Sequence, residues 1–162
     1  MARLTRDKFI PLIDISKITG GASPAWKPID LSTVFELDYN PNTETYSYIC
    51  YANDDTEITG YAPTMAQEIV LDSANPIYNA MLKFFRSMPV GSAAKVPICI
   101  VYPDADGKPT DGDLFKDGAI QPDNINTVDG KLNFTLNLNG AVTPATVAGA
   151  GADTITVTEK AA

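Results

Sequence analysis

Residues 60–91 read GYAPTMAQEIVLDSANPIYNAMLKFFRSMPVG: a strand, a stop, an amphipathic helix and a glycine-marked return. Met65, Gln67, Ile69 and Leu71 alternate with Ala66, Glu68 and Val70, the period of two that gives a strand one apolar face. Asn75 offers a side-chain cap, and Pro76 suits the first helical position, where its missing N–H costs nothing. The period then changes. Ile77, Met81, Phe84, Phe85 and Met88 fall within an arc of roughly 100° at helical spacing, widened by Tyr78 and Leu82. Asn79, Lys83 and Arg86 take the opposite face. The pattern predicts a helix over about 76–87, ended by Pro89 and Gly91, whose Ile77, Met81, Phe84 and Phe85 pack on a sheet. No other stretch carries so strong a helical pattern. The fold expected is therefore mainly β, with this helix as a lid.

The chain has 162 residues, a length that suits one domain spanning 1–162 and burying about two-thirds of its unfolded surface. Hydrophobic residues make up 44% and charged residues 20%, too apolar for disorder. Twelve prolines and eleven glycines, spread along the chain, favour many short elements. No apolar run approaches the ~18 residues that cross a bilayer. Residues 9–15, FIPLIDI, follow a basic start but are broken by Pro11 and Asp14, so no cleavable signal is read and a cytoplasmic origin is expected. The net charge of −8 opposes a nucleic-acid binder, which needs a basic footprint, but not a wall past which a nucleic acid slides.

Histidine is absent, which removes Ser-His-Asp and Cys-His arrangements, imidazole bases and most transition-metal sites together. Cys50 and Cys99 lie in strand-like runs and read as two buried free thiols. Residues 103–118, PDADGKPTDGDLFKDG, form an acidic connection with Asp104, Asp106, Asp111, Asp113 and Asp117. Its spacing fails as a calcium loop, since no glutamate stands at the twelfth position, and tandem Asp-Gly turns facing water are expected instead. No cofactor or metal is expected.

Taken in order, residues 1–18 read as an N-terminal arm with an edge strand in PLIDIS, and Trp26 as an anchor against the sheet. LSTVFELDY (31–39) reads as a strand, NPNTE as a turn, and ETYSYICYA (44–52) as the most β-prone strand, covered on both faces. Turns at 38–44 and 52–56 leave polar hairpin tips. AKVPICIVYP (94–103) is a nearly continuous apolar run, the sign of a strand buried on both sides. In KLNFTLNLNG (131–140), Leu132, Phe134, Leu136 and Leu138 face one way, while Lys131, Asn133, Thr135, Asn137 and Asn139 face the other, a polar ladder neutral apart from Lys131. Residues 141–162 read as a flexible extension with a short final strand.

Trp26 ahead of the first strand pair, the 60–91 block, the acidic central loop and NFTLNLNGAVTPATV occur in that order, over roughly residues 20–147. This succession resembles the major tail tube protein of tailed bacteriophages, related in fold to tube proteins of other injection machines. The resemblance implies a β-sandwich or half-barrel subunit with one flanking helix, assembling into a ring-shaped β-barrel. It also implies a structural virion protein with no enzymatic activity, forming stacked hexameric rings in the tail. Partners would be copies of itself, tape-measure, terminator and baseplate proteins, and viral DNA passing without specific binding. Assembly would occur in the bacterial host cytoplasm. On this reading Asn133, Thr135 and Asn137 line the lumen, and Asp38, Asn40, Asn42, Asn53, Asp54 and Asp55 are candidates for contacts between rings.

Two other classes are open. A monomeric β-sandwich binding module, for carbohydrate or protein, displays exposed aromatics, whereas here Trp26 and most tyrosines fall in strand-like stretches. A hydrolase with paired carboxylates could draw on Glu57 and Glu68.

Overall fold

The apolar run after the helix forms a strand, Ile98–Pro103, in which Ile98, Cys99, Ile100 and Val101 are fully buried. The computed structural model describes residues 3–150 and 154–161; residues 1–2, 151–153 and 162 of the two expected terminal extensions lie outside the described residues. In chain order the elements are β1 (Ile10–Asp14), the short α1 (Ser16–Thr19), β2 (Trp26–Pro28), β3 (Leu37–Asp38), β4 (Pro41–Tyr46), β5 (Asp55–Tyr61) and β6 (Thr64–Val70). Then come α2 (Pro76–Ser87), β7 (Ile98–Pro103), β8 (Pro109–Phe115), β9 (Ala119–Asn126), β10 (Lys131–Asn137), β11 (Val142–Ala148) and β12 (Thr156–Glu159).

Six strands form a curled half-barrel in the order β12-β11-β8-β7-β1-β2, and four form a second sheet, β3-β6-β10-β9. The pairs within both sheets are antiparallel. β7 serves both cores. Ile98 and Ile100 join Ile13 and Phe115 in a cluster shared with Met65, Ile69, Leu132, Phe134 and Leu136 of the second sheet. Cys99 and Val101 point the other way, into the half-barrel, with Leu12, Trp26, Leu114, Ala145 and Val147. The expectation of a mainly β fold with one flanking helix is met, and Trp26 is the buried anchor it was read as.

α2 starts where the residues place it: Asn75 Oδ1 accepts the Ile77 N–H at 3.0 Å, and Pro76 takes the first turn. Ile77, Ala80, Met81 and Phe84 are buried in the first cluster, and half-buried Phe85 meets Phe134 edge-on at 6.4 Å. Met88, counted in the apolar arc, is exposed because it caps the helix in the left-handed conformation at φ 44°.

Several expectations are overturned. The supposed edge strand in the N-terminal arm is an interior strand: β1 pairs with β2 on one side and β7 on the other. The carboxylate of Asp14 closes that corner, accepting from Ser16 N–H, Ser16 O–H and Ala25 N–H. The extension at 141–162 contributes β11 and β12 within the same chain, because Ala145, Val147, Ala150 and Ile155 fill the half-barrel interior. The acidic connection is only a tight turn, with Asp104 accepting from the Asp106 and Lys108 N–H groups and from Thr110 O–H, followed by β8. Its alternation is masked by Gly112, which faces the half-barrel core where a Cβ would lie 2.9 Å from Cys99 Sγ and 3.0 Å from Val147 Cγ2. The strand over 31–39 shrinks to β3 and a single bridge from Ser32 to Ile69.

Replacing Phe84 with Ala removes a ring from the shared cluster and should lower unfolding stability by ~3–5 kcal/mol, read from urea denaturation monitored by Trp26 fluorescence.

Candidate functional site

Two surfaces stand out: a polar sheet face and an exposed aromatic hairpin. The first is the side of the second sheet opposite the core. Antiparallel register sets Asn133 level with Glu68 and Asn124, Thr135 with Ala66 and Gln121, and Asn137 with Thr64 and Ala119. The strand period that buries Leu132, Phe134 and Leu136 turns these three residues outward, half-exposed. Two of them are tied sideways: Asn133 Nδ2 donates to Asn124 Oδ1 at 2.8 Å, leaving its own Oδ1 buried without a partner among the described residues, and Thr135 O–H donates to Asp123 Oδ2 at 2.8 Å. A register shift between Asn133 and Phe134 leaves Asp123 as the extra residue on β9, where it also accepts from Gln121 at 3.1 Å. Lys131 is the one cation of β6, β9 and β10, and its ammonium is held by Glu68 at 2.8 Å. That contact, chiefly the hydrogen bond from Lys131, holds the Glu68 carboxyl below its ordinary range.

The second surface is the hairpin of β4 and β5, a two-stranded sheet of its own. The strand expected at 44–52 ends at Tyr46, and residues 47–54 form its tip. The expectation of two covered faces fails, since every residue from Pro41 to Thr59 is exposed and Ile49 is wholly so. With no second layer over it, the β-prone sequence satisfies its rings locally. Tyr46 stacks on Tyr48 with centroids 6.0 Å apart, and Tyr48 meets Tyr51 edge-on at 5.9 Å. Tyr39, Ile58 and Tyr61 add exposed apolar area, so five of the seven tyrosines are exposed. Tyr48 and Tyr51, read as part of a strand covered on both faces, lie instead beyond β4 and are exposed. Cys50 is exposed at the tip, against the expectation of a buried thiol, while Cys99 is buried.

Glu44 and Glu57 stand opposite each other across the hairpin, an unfavourable pairing of like charges; Tyr46 O–H donates to Glu44 at 2.5 Å. The six residues expected at the polar tips divide. Asn53 and Asp54 are in the tip, with Asp55 opening β5. Asp38, Asn40 and Asn42 are at the root, where Asn40 adopts φ 44° and its amide donates to Ala62 O and Thr64 Oγ1. Glu57 belongs to the hairpin, whereas Glu68 belongs to the second sheet and is committed to Lys131, so the carboxylate pair is not assembled. Among the described residues there is no group of three or more His, Cys, Asp or Glu able to hold a metal ion. No described helix is long and apolar enough to cross a membrane.

No protein-family profile matches the sequence, and no curated protein matches it. Solved structures do match the fold. A chain of the "anti-feeding prophage (AFP) baseplate, 6-fold symmetrised", superposes with a TM-score of 0.54 at 9% identity, covering 89% of this chain and 96% of that one. A chain of the AFP tube terminating cap gives a TM-score of 0.47 at 12% identity, covering 99% of this chain and 93% of that one. At such identities the likeness to the baseplate chain is one of fold.

Two outcomes follow. Burial pushes the Cys99 thiol up to about 12, so a thiol reagent should titrate one cysteine, Cys50, in the native chain and both in denaturant. The Glu68 carboxyl is lowered on folding, so its contribution to stability is present above the ordinary glutamate range and lost as pH falls through the folded value. Glu68→Gln should flatten that part of the acid side of the stability–pH curve.

Proposed function

We propose that the chain is a structural, non-enzymatic subunit of a phage tail tube. Copies join side by side into rings of six, and rings stack into a tube through which DNA passes. The observation that carries this reading is the β4–β5 hairpin. A two-stranded hairpin is marginal alone in water, and this one exposes tyrosines and isoleucines without a core. Such a surface gains stability when another protein covers it. The fold likeness to a chain of the six-fold AFP baseplate supports the ring, and the order of elements supports the tail-tube family.

In this reading the polar face of β6, β10 and β9 lines the lumen through Asn133, Thr135 and Asn137. Asn133 and Thr135 are held by Asn124 and Asp123 of β9, and the face's single lysine is neutralised, so a passing polyanion finds no free cation on it and the net charge of −8 repels it. Asp38, Asn40, Asn42, Asn53, Asp54 and Asp55 lie along the hairpin that reaches the next ring. Tape-measure, terminator and baseplate proteins meet the ends of the stack. The subunit would be assembled in the bacterial host cytoplasm and reside in the virion tail.

The exposed tyrosines also favour a second reading, a monomeric binding module whose aromatic tip takes a glycan or a protein. Negative-stain electron microscopy over a range of concentrations separates the two. Rings with a central hole, or striated tubes, are expected; uniform small particles that bind on a glycan array would replace the tube with the module. The double variant Tyr48→Ser/Ile49→Ser should abolish stacking yet leave monomer stability within about 0.5 kcal/mol, since neither side chain touches a core.

A further inference from the structure

The link from β10 to β11, which joins the two sheets, carries the one Asn-Gly pair of the chain, Asn139-Gly140. Both residues are exposed and belong to neither ladder. Gly140 has no Cβ to shield its amide nitrogen, and at φ 78° it occupies the left-handed region that glycine enters freely. Among the described residues its N–H donates no hydrogen bond. Asn139 N–H donates to Asn137 O at 3.1 Å, and its carboxamide has no hydrogen-bond partner among the described residues. An unheld carboxamide thus stands next to an unshielded, unbonded backbone nitrogen.

The other asparagines lack this combination. Asn40 and Asn75 precede prolines, whose nitrogen has no hydrogen to lose. The carboxamides of Asn79, Asn124, Asn126 and Asn133 are held by hydrogen bonds. Asn42 and Asn137 lie in β4 and β10, followed by the bulkier Thr43 and Leu138. Asn53, at the hairpin tip, is followed by Asp54, whose side chain shields the nitrogen between them.

We propose that Asn139-Gly140 is a site of spontaneous hydrolytic modification, with water as the only co-reactant. The deprotonated Gly140 nitrogen attacks Asn139 Cγ, a C–N bond closes a succinimide ring, and the carboxamide nitrogen leaves as ammonia. Water then adds to one of the two ring carbonyls and breaks its bond to the ring nitrogen. Opening at the side-chain carbonyl gives aspartate. Opening at the backbone carbonyl gives isoaspartate, in which the chain runs through the side chain and is longer by one carbon. Nothing is oxidised or reduced. Each event adds a negative charge at the hairpin-root end of the second sheet, where Leu138 N–H donates to Pro63 O. Asp117 already flanks Gly140 there, its Oδ2 lying 3.4 Å from where a Cβ would stand. The modification thus falls on the segment that fixes one sheet to the other, and it is independent of whether the chain builds a tube.

The test incubates the full folded chain in mildly alkaline buffer and samples it over weeks. Isoelectric focusing reads the added charge, peptide mapping locates it, and a protein isoaspartyl methyltransferase labels the isomerised product. A growing acidic band is expected, with isoaspartate at residue 139 ahead of every other position. The band should grow faster as pH rises, because the nucleophile is the deprotonated amide. Asn139→Gln, whose longer side chain must close a larger ring, should lose the band. Asn139→Asp should focus at the acidic position from the start, before any label appears. The chain in guanidinium chloride is the reference. Conversion of Asn139 there, but not in the folded chain, would overturn the proposal, since the fold would then protect the pair. Modification that appears first at Asn53 or at an aspartate would overturn it as well.

Discussion

The two-sided burial of β7 is the constraint on which the rest depends. Ile98 and Ile100 belong to the core between the sheets, and Cys99 and Val101 to the interior of the half-barrel. Each large apolar side chain so placed contributes about 1.5–3 kcal/mol relative to exposure, and neither set can be satisfied unless both layers form. One layer is the second sheet with α2; the other is the curl of β8, β11 and β12 back over Trp26 and Leu12. The curl in turn requires Gly112, since a side chain there would strike Cys99 and Val147.

The same demand explains the chain ends. A half-barrel interior left open would expose Leu12, Cys99 and Val101, and Ala145, Val147, Ala150 and Ile155 cover them. β12 is then fixed at the margin by ion pairs from Lys116 to Glu159 at 2.6 Å and from Lys160 to Asp111 at 2.8 Å, surface contacts that select its register more than they stabilise the fold. At the other margin, the buried Asp14 carboxylate holds the turn from β1 to β2 by accepting three hydrogen bonds.

With both cores closed inside one chain, the hairpin and the polar ladder stand outside the stability problem and are available for contact. The ladder holds Asn133 and Thr135 against neighbours on β9 and its one lysine is paired, so this face offers a polyanion no free cation. The hairpin is the reverse. It carries like charges face to face and rings in water, and a neighbouring protein would take the rings out of water.

The sequence by itself determined the elements whose local and global preferences agree. The alternation of Leu132, Phe134 and Leu136, the capped helix from Pro76 and the doubly apolar β7 each have the period, the ends and the burial that their residues dictate. The outward placement of Asn133, Thr135 and Asn137 follows from the same period. Tertiary structure alone decided the rest. Tyr48, Ile49 and Tyr51 have strong strand propensity, yet they form an exposed tip because no layer covers the hairpin. The acidic stretch holding Gly112 and the small-residue stretch holding Ala145 and Val147 look like loop and tail, yet they are interior strands. A tightly curved half-barrel has room only for small side chains there, so the composition that marks a loop in isolation marks a core in place.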